Sequence, residues 1–207
     1  MRLTSGEVLL CWPLSTHILT AGWTYNDGSA HNAIDLRAGA GTPVYAAEGG
    51  TVDQLQTWDG HTRTGMQSYG TMVRLRHADY RGQPLQTRYA HLTRACVKAG
   101  QLVREGDLLG YSGQTGNCAG AHLHFEVLLA GVRCNPLNWL DGEFSCASPA
   151  VQAHLGVYES VRRPGTPAPA RLQRLSIGPV SDGDAMSFWN LAQRLGVPYT
   201  AAYVEEG

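Results

Sequence analysis

Apolar and polar residues alternate with a period of two through much of the chain. The clearest case is GAHLHFEV at residues 120–127, where three apolar side chains alternate with three polar ones: Leu123, Phe125 and Val127 against His122, His124 and Glu126. This alternation is typical of a half-buried β-strand. A hydrophobic core accounts for the apolar face. The alternation alone does not account for the two imidazoles on the opposite face.

Other short runs between residues 17 and 140 have the same character. Three runs are rich in Val, Thr, Tyr and Leu: residues 42–47, 71–77 and 85–91. Residues 97–110 contain two short apolar segments bounded by glycines. No long helical period occurs in this region. The pattern therefore predicts a mainly β fold, an antiparallel barrel or sandwich. The polar, aromatic segment 56–70 is predicted to be a long surface loop beside a site.

The pattern changes after Trp139. VRRPGTPAPA at residues 161–170 contains three prolines and cannot sustain a helix or a ladder. Beyond it, a strand, a helix over residues 181–195 and a second strand are predicted. We therefore expect a main domain over residues 1–150, an extended linker over 151–170 and a small β-α-β unit over 171–207. That unit is too small to bury much apolar surface by itself, so we expect it either to dock on the main domain or to form a homodimer contact.

Composition excludes several classes of protein. Of the 207 residues, 43% are apolar and 16% charged, with a formal net charge of −1, so a core is easily built and wholesale disorder is not expected. No basic run with interleaved aromatics suggests a nucleic-acid partner. No apolar run approaches the roughly 20 residues of a membrane-spanning helix. The first residues, MRLTSGEVLLCWPLS, do not have the pattern of a signal peptide.

Three local patterns carry candidate chemistry: HNAID at residues 31–35, YAHL at 89–92 and HLH at 122–124. On a straight strand His31 and Asp35 would lie about 13 Å apart, too far to share one ion. We therefore expect a bend, with His31 on a loop and Asp35 entering a strand. The two histidines of HLH lie about 7 Å apart on one strand face, so both imidazoles reach one small volume.

Two histidine nitrogens and one carboxylate oxygen make a three-ligand set for Zn²⁺, with a fourth position left for water. That open position is typical of catalytic rather than structural sites. Ligands of this mixed N/O type also suit other divalent ions, so zinc is the preferred cofactor and not the sole candidate.

The order of these motifs resembles the lysostaphin- and LytM-type zinc peptidases, which cut peptide bonds in bacterial peptidoglycan. The resemblance runs from Trp12 to Leu140 and includes H-x-x-x-D, GTPVYAA, YAHL, SGQTGN and HLHFEV. It implies that His31, Asp35 and His124 bind zinc. It also implies that His91 and His122 form an unligated catalytic pair and that Tyr25 helps to hold the transition state. Cys118-Ala119-Gly120-Ala121 departs from the family, which often has Ser or Thr and Pro before H-x-H.

The sequence thus predicts a zinc endopeptidase that acts on stem peptides or cross-bridges of the cell wall. Two alternatives stay open: a non-hydrolytic wall-binding or hydrolase-activating module of the same fold, and a histidine phosphocarrier. A wall-cutting site without a signal peptide suggests a phage or prophage enzyme, cytoplasmic until lysis machinery releases it or a virion carries it.

Overall fold

In the computed structural model, residues 7–140 and 145–146 are described. They form eleven strands: β1 (Ile18–Ala21), β2 (Ile34–Arg37), β3 (Pro43–Tyr45), β4 (Gly50–Gln56), β5 (Thr71–Arg76), β6 (Leu85–Ala95), β7 (Leu102–Val103), β8 (Leu108–Ser112), β9 (His122–Leu129), β10 (Val132–Cys134) and β11 (Ser145–Cys146). The helical segments of this part are two short 3-10 turns, Gly65–Tyr69 and Pro136–Asn138. The mainly β prediction is confirmed.

One sheet connects all the strands, in the order β11-β1-β2-β9-β6-β5-β4-β7, with β10 added to β9 and with β8 joining β3 to β6. Every strand pair is antiparallel except β1 with β11. Strand β9 lies near the middle, between β2 on one side and β6 on the other. Polar side chains of three strands therefore meet on one face around β9.

The apolar face of β9 forms the centre of the core. Leu123, Phe125 and Val127 have no exposed surface, as the alternation predicted. Tyr89 of β6 is also fully buried, with its ring centroid 5.3 Å from that of Phe125. Its hydroxyl accepts a hydrogen bond from the Ala47 amide at 2.8 Å. These contacts fix β9 rigidly, which holds the histidines on its other face in place.

The predicted surface loop at residues 56–70 is largely exposed and contains the 3-10 turn Gly65–Tyr69. Within residues 7–140 and 145–146, no helix has the length and apolar character needed to cross a membrane. The predicted linker at residues 151–170 and the β-α-β unit at 171–207, with its suggested dimer contact, lie outside the described residues.

Candidate metal centre and active site

Antiparallel pairing of β2 with β9 places Asp35 directly opposite His124. Because side chains of directly paired residues project from the same face of a sheet, the carboxylate and imidazole meet. Asp35 Oδ1 lies 2.9 Å from His124 Nδ1. The two groups come from positions 89 residues apart in the chain, and the strand register alone brings them together.

His31 reaches the same point from the loop before β2. Asn32 has a left-handed backbone with φ of 59°, a conformation that asparagine tolerates better than most residues, and this bend lets His31 and Asp35 converge. The Nδ1–H of His31 donates to the Gly22 carbonyl at 2.7 Å. Since a carbonyl can only accept, Nε2 keeps its lone pair. Its side chain is 2% exposed.

The three donor atoms have the spacing of zinc ligands. His31 Nε2 lies 3.2 Å from His124 Nδ1 and 3.3 Å from Asp35 Oδ1. The third distance, from Asp35 Oδ1 to His124 Nδ1, is 2.9 Å. Ligand atoms placed 2.0–2.2 Å from an ion at tetrahedral corners are about 3.3–3.6 Å apart, and the small inward difference here is within side-chain adjustment. The residues present therefore fit a zinc ion. A second set with metal-ligand spacing, His91, His122 and His124, shares His124 with the first but contains no carboxylate.

A β-bulge in β6 turns His91 toward the centre. Thr71 pairs with Leu92 and Val73 pairs with Tyr89, so β6 has one more residue than β5 between these pairs. His91 has a left-handed backbone with φ of 58°, which is uncommon for a non-glycine residue and is often found at functional sites. Its ring centroid lies 5.5 Å from that of His124 and 4.9 Å from that of His122.

Both additional histidines present their Nε2 atoms to the site. The Nδ1–H of His91 donates to the Thr115 carbonyl, and that of His122 donates to the Gly120 carbonyl, each at 2.8 Å. The Nε2 of His122 lies 3.5 Å from Asp35 Oδ1. Cys118, where the sequence departs from the family, places its Sγ 3.4 Å from His122 Nδ1.

Burial and hydrogen bonds set the charges of the metal-free cluster. Burial opposes ionisation of Asp35, but hydrogen bonds from His122 and His124 outweigh it and hold its pKa far below the usual value. Burial also opposes a charge on His122, yet bonds to Asp35 and Cys118 raise its pKa to about 10. Burial lowers the pKa of His91 to about 4, and the neighbouring His124 acts in the same direction.

Tyr25 lies at the open side of the cluster. Its ring stacks on His31 with a centroid separation of 4.3 Å, and the residue is 42% exposed. Partial burial and the nearby Asp35 charge raise the pKa of its hydroxyl. Tyr25 therefore keeps its proton at neutral pH and can act as a hydrogen-bond donor beside the donor atoms of His31.

Behind His124 lies Glu126, the third polar residue of the alternating stretch at residues 120–127. Its Oε1 is 3.5 Å from His124 Nε2. Histidine ligands of metals commonly direct their second ring nitrogen to a carboxylate, which fixes the tautomer and the ring orientation. The period-two alternation contained the relevant signal, because it places Glu126 on the same strand face as His122 and His124.

Glu126 is itself held by three side chains that the sequence did not single out as partners. Arg88 donates to Oε2 at 2.7 Å, while Arg133 Nε and the Tyr69 hydroxyl donate to Oε1 at 2.9 and 2.8 Å. Burial opposes its ionisation, but His124 and Arg88 lower the pKa of Glu126 to about 2. It therefore stays charged.

All six predicted site residues are thus near one centre. His31, Asp35 and His124 supply mutually close donor atoms, His91 and His122 flank them, and Tyr25 covers His31. Glu126, Arg88, Arg133 and Tyr69 form a supporting cluster behind His124, and this cluster became apparent only from the fold.

Comparison with known proteins agrees with this arrangement. The profile of Peptidase family M23 matches residues 29–136, just over half of the chain. The chain belongs to this family of metallopeptidases.

Two curated relatives illustrate the similarity. Peptidoglycan DD-endopeptidase ShyC of Vibrio cholerae is 36% identical over 107 residues, which are 52% of this chain and 22% of that protein. DD-carboxypeptidase/endopeptidase Mpg of Neisseria meningitidis is 39% identical over 108 residues, 52% of this chain and 22% of that protein. The chain thus spans less than a quarter of the length of these relatives.

Solved structures show the same fold. A zinc-containing peptidase from Vibrio cholerae aligns with a TM-score of 0.52 and 26% identity, over 67% of this chain and 41% of that chain. A peptidase M23 structure from Pseudomonas aeruginosa aligns with a TM-score of 0.51 and 26% identity, over 65% and 51% of the two chains.

Proposed function

We propose that this protein is a zinc-dependent endopeptidase that hydrolyses peptide bonds in the stem peptides or cross-bridges of bacterial peptidoglycan. The observation that carries the proposal is the convergence of His31 Nε2, Asp35 Oδ1 and His124 Nδ1 within 3.3 Å of one another, flanked by His91 and His122. Membership of a metallopeptidase family supports it.

His31, Asp35 and His124 would hold the ion. Zn²⁺ at such a site supplies a Lewis acid that polarises the scissile carbonyl and makes water acidic enough to attack near neutral pH. One ligand carboxylate leaves net positive charge on the bound ion, which favours an anionic transition state. Glu126 keeps His124 in the ligating tautomer.

His91 and His122 would carry the proton. Their Nδ1 atoms are bound to backbone carbonyls, so each ring can exchange a proton only through Nε2, on the side of the cluster. An imidazole suits this task because its ordinary pKa lies near neutrality; the values of about 4 for His91 and about 10 for His122 belong to the metal-free cluster. One ring takes the proton of the attacking water, and the pair returns a proton to the leaving amine. The Tyr25 hydroxyl donates to the developing oxyanion.

The substrate is inferred from the relatives, whose names give peptidoglycan as substrate and include DD-endopeptidases. A bond between two D-residues in a cross-link is therefore the first candidate.

A non-hydrolytic module of the same fold has no need of the complete set of donors and proton carriers, and a phosphocarrier has no need of Asp35. Delivery by phage lysis machinery or by a virion stays a prediction.

The direct test is digestion of purified peptidoglycan sacculi, with mass spectrometry of the released fragments. The wild type is expected to release peptides with new amino and carboxyl termini, at one type of bond, and to lose this activity on chelation. A His122→Ala variant that still binds zinc should release none. If the zinc-loaded wild-type protein leaves the muropeptides of the sacculi unchanged, the proposal is contradicted and the non-hydrolytic binding module is favoured.

A further inference from the structure

A cavity of about 430 Å³ adjoins the metal centre. On one side it is lined by Asn32, the residue next to His31. On the other it is lined by Arg88 and Arg133, which bond to Glu126 behind His124. The cavity is therefore lined by a neighbour of one proposed ligand and by two side chains that hold the carboxylate behind another.

The cavity is rich in arginine. Arg74, Arg88 and Arg133 all line it; they come from β5, β6 and β10, with β9 between β6 and β10. The acidic groups bonded to these arginines are Asp53 and Glu126. Three guanidinium groups against two carboxylates leave one positive charge in excess. Arg74 is matched, because its Nε and Nη2 atoms bond both oxygens of Asp53 at 2.9 and 3.0 Å.

The excess charge therefore falls on Arg88 and Arg133, which share one carboxylate. Glu126 Oε2 accepts from Arg88, while Oε1 accepts from Arg133 and Tyr69. Arg88 is 6% exposed, and its Nε has no hydrogen-bond partner within the described part of the chain. Arg133, in contrast, has a side chain that is 43% exposed and accessible from solvent.

We propose that this cavity is a substrate subsite that binds a free carboxylate of the peptide, with Arg133 as the principal contact; the inference rests on the proposed function. Guanidinium groups bind carboxylates through paired, charge-assisted hydrogen bonds. An incoming carboxylate would balance the excess positive charge of the arginine pair. Leu128 and Val132 also line the cavity and provide apolar surface for the methylene groups that carry such a carboxylate.

The test compares two cross-linked stem-peptide fragments that differ only at the carboxylate nearest the scissile bond, which is free in one and a primary amide in the other. Charged hydrogen bonds of this kind contribute about 1.5–3 kcal/mol, so the wild type should prefer the free carboxylate by roughly 10- to 100-fold in kcat/KM, mainly through KM. Arg133→Gln should lose this preference, because its kcat/KM should fall further on the free carboxylate than on the amidated peptide. A loss shared by both peptides would report the support that Arg133 gives to Glu126. Arg133→Lys should retain part of the preference.

Arg104→Gln is the matched control, because it removes one exposed arginine that does not line the cavity; it should keep the wild-type preference. Equal kcat/KM of the wild type on both peptides would overturn the subsite and leave the proposed function intact. An equal loss on both peptides in Arg133→Gln would assign Arg133 to support of Glu126 and would also overturn it.

Binding separates failure of the subsite from failure of the proposed function. Both peptides are titrated into the zinc-loaded His91→Ala protein, because a binding measurement does not require hydrolysis. Tighter binding of the free carboxylate by about tenfold or more, lost on adding Arg133→Gln, supports the subsite even if no peptide is cut. Equal affinity for the two peptides contradicts it.

Discussion

Replacing Glu126 with Gln should weaken both the fold and the metal centre. The substitution keeps the size of the side chain and removes its charge. Glu126 and Arg88 form a buried ion pair with an N–O distance of 2.7 Å and side-chain exposures of 2% and 7%. Loss of one partner of such a pair leaves an uncompensated buried charge, which costs about 3–5 kcal/mol. The Gln amide oxygen can still accept one hydrogen bond, so we expect about 3 kcal/mol.

For a protein of this length, each kcal/mol corresponds to roughly 2–4 °C in Tm, so zinc-free Glu126→Gln should unfold about 6–12 °C below the wild type. Zinc affinity should fall by about 10- to 100-fold, as is usual when a partner of a ligand histidine is removed. Thermal unfolding followed by circular dichroism gives the first value, and competition with a zinc-binding dye gives the second.

Two further variants separate charge from other effects. Glu105→Gln removes an exposed carboxylate and should leave both quantities near the wild-type values. Arg88→Met combined with Glu126→Gln removes both charges and should recover part of the lost stability, without recovery of zinc affinity. If Glu126→Gln has a Tm within about 2 °C of the wild type and unchanged zinc affinity, the role assigned to Glu126 is wrong.

Three other predictions concern the core and the catalytic pair. Tyr89→Phe should lower the free energy of unfolding by about 1–3 kcal/mol in chemical denaturation, because the buried Ala47 amide loses its acceptor; an unchanged midpoint would contradict this. Gly50→Ala should destabilise the β4–β5 pair, since its Cβ would clash with the Arg76 carbonyl oxygen. A wild-type Tm in thermal unfolding would refute this. His91→Ala should reduce kcat by about 100-fold or more with zinc content unchanged; a fall confined to KM would argue against proton transfer.

Local sequence pattern was sufficient for several of the strands and for several features of the site. The alternation in residues 120–127 gave β9, its buried face and the shared face of His122 and His124, because side-chain direction within one strand follows from position alone. The bend before Asp35 followed from the same reasoning, since a straight strand would separate it from His31 by too great a distance. Both features depend on residues close together in the chain.

Contacts between distant segments could not be read from pattern. The bulge that turns His91 toward the site depends on an extra residue in β6 relative to β5, and no signal within YAHL specifies that register. Arg88 and Glu126 are 38 residues apart and meet only because β6 pairs with β9. The cluster around Glu126, and the cavity it supports, therefore required the fold. The family resemblance assigned the metal and catalytic roles that spacing alone left open.

The most direct test of the account is the zinc content of the 207-residue protein, measured by inductively coupled plasma mass spectrometry after dialysis against a weak chelator. We expect about one zinc per chain in the wild type and in His91→Ala, and almost none in Asp35→Ala or His124→Ala, because these remove donors from the set of three. Full zinc content in well-folded Asp35→Ala, or none in the wild type, would contradict the proposed metal centre.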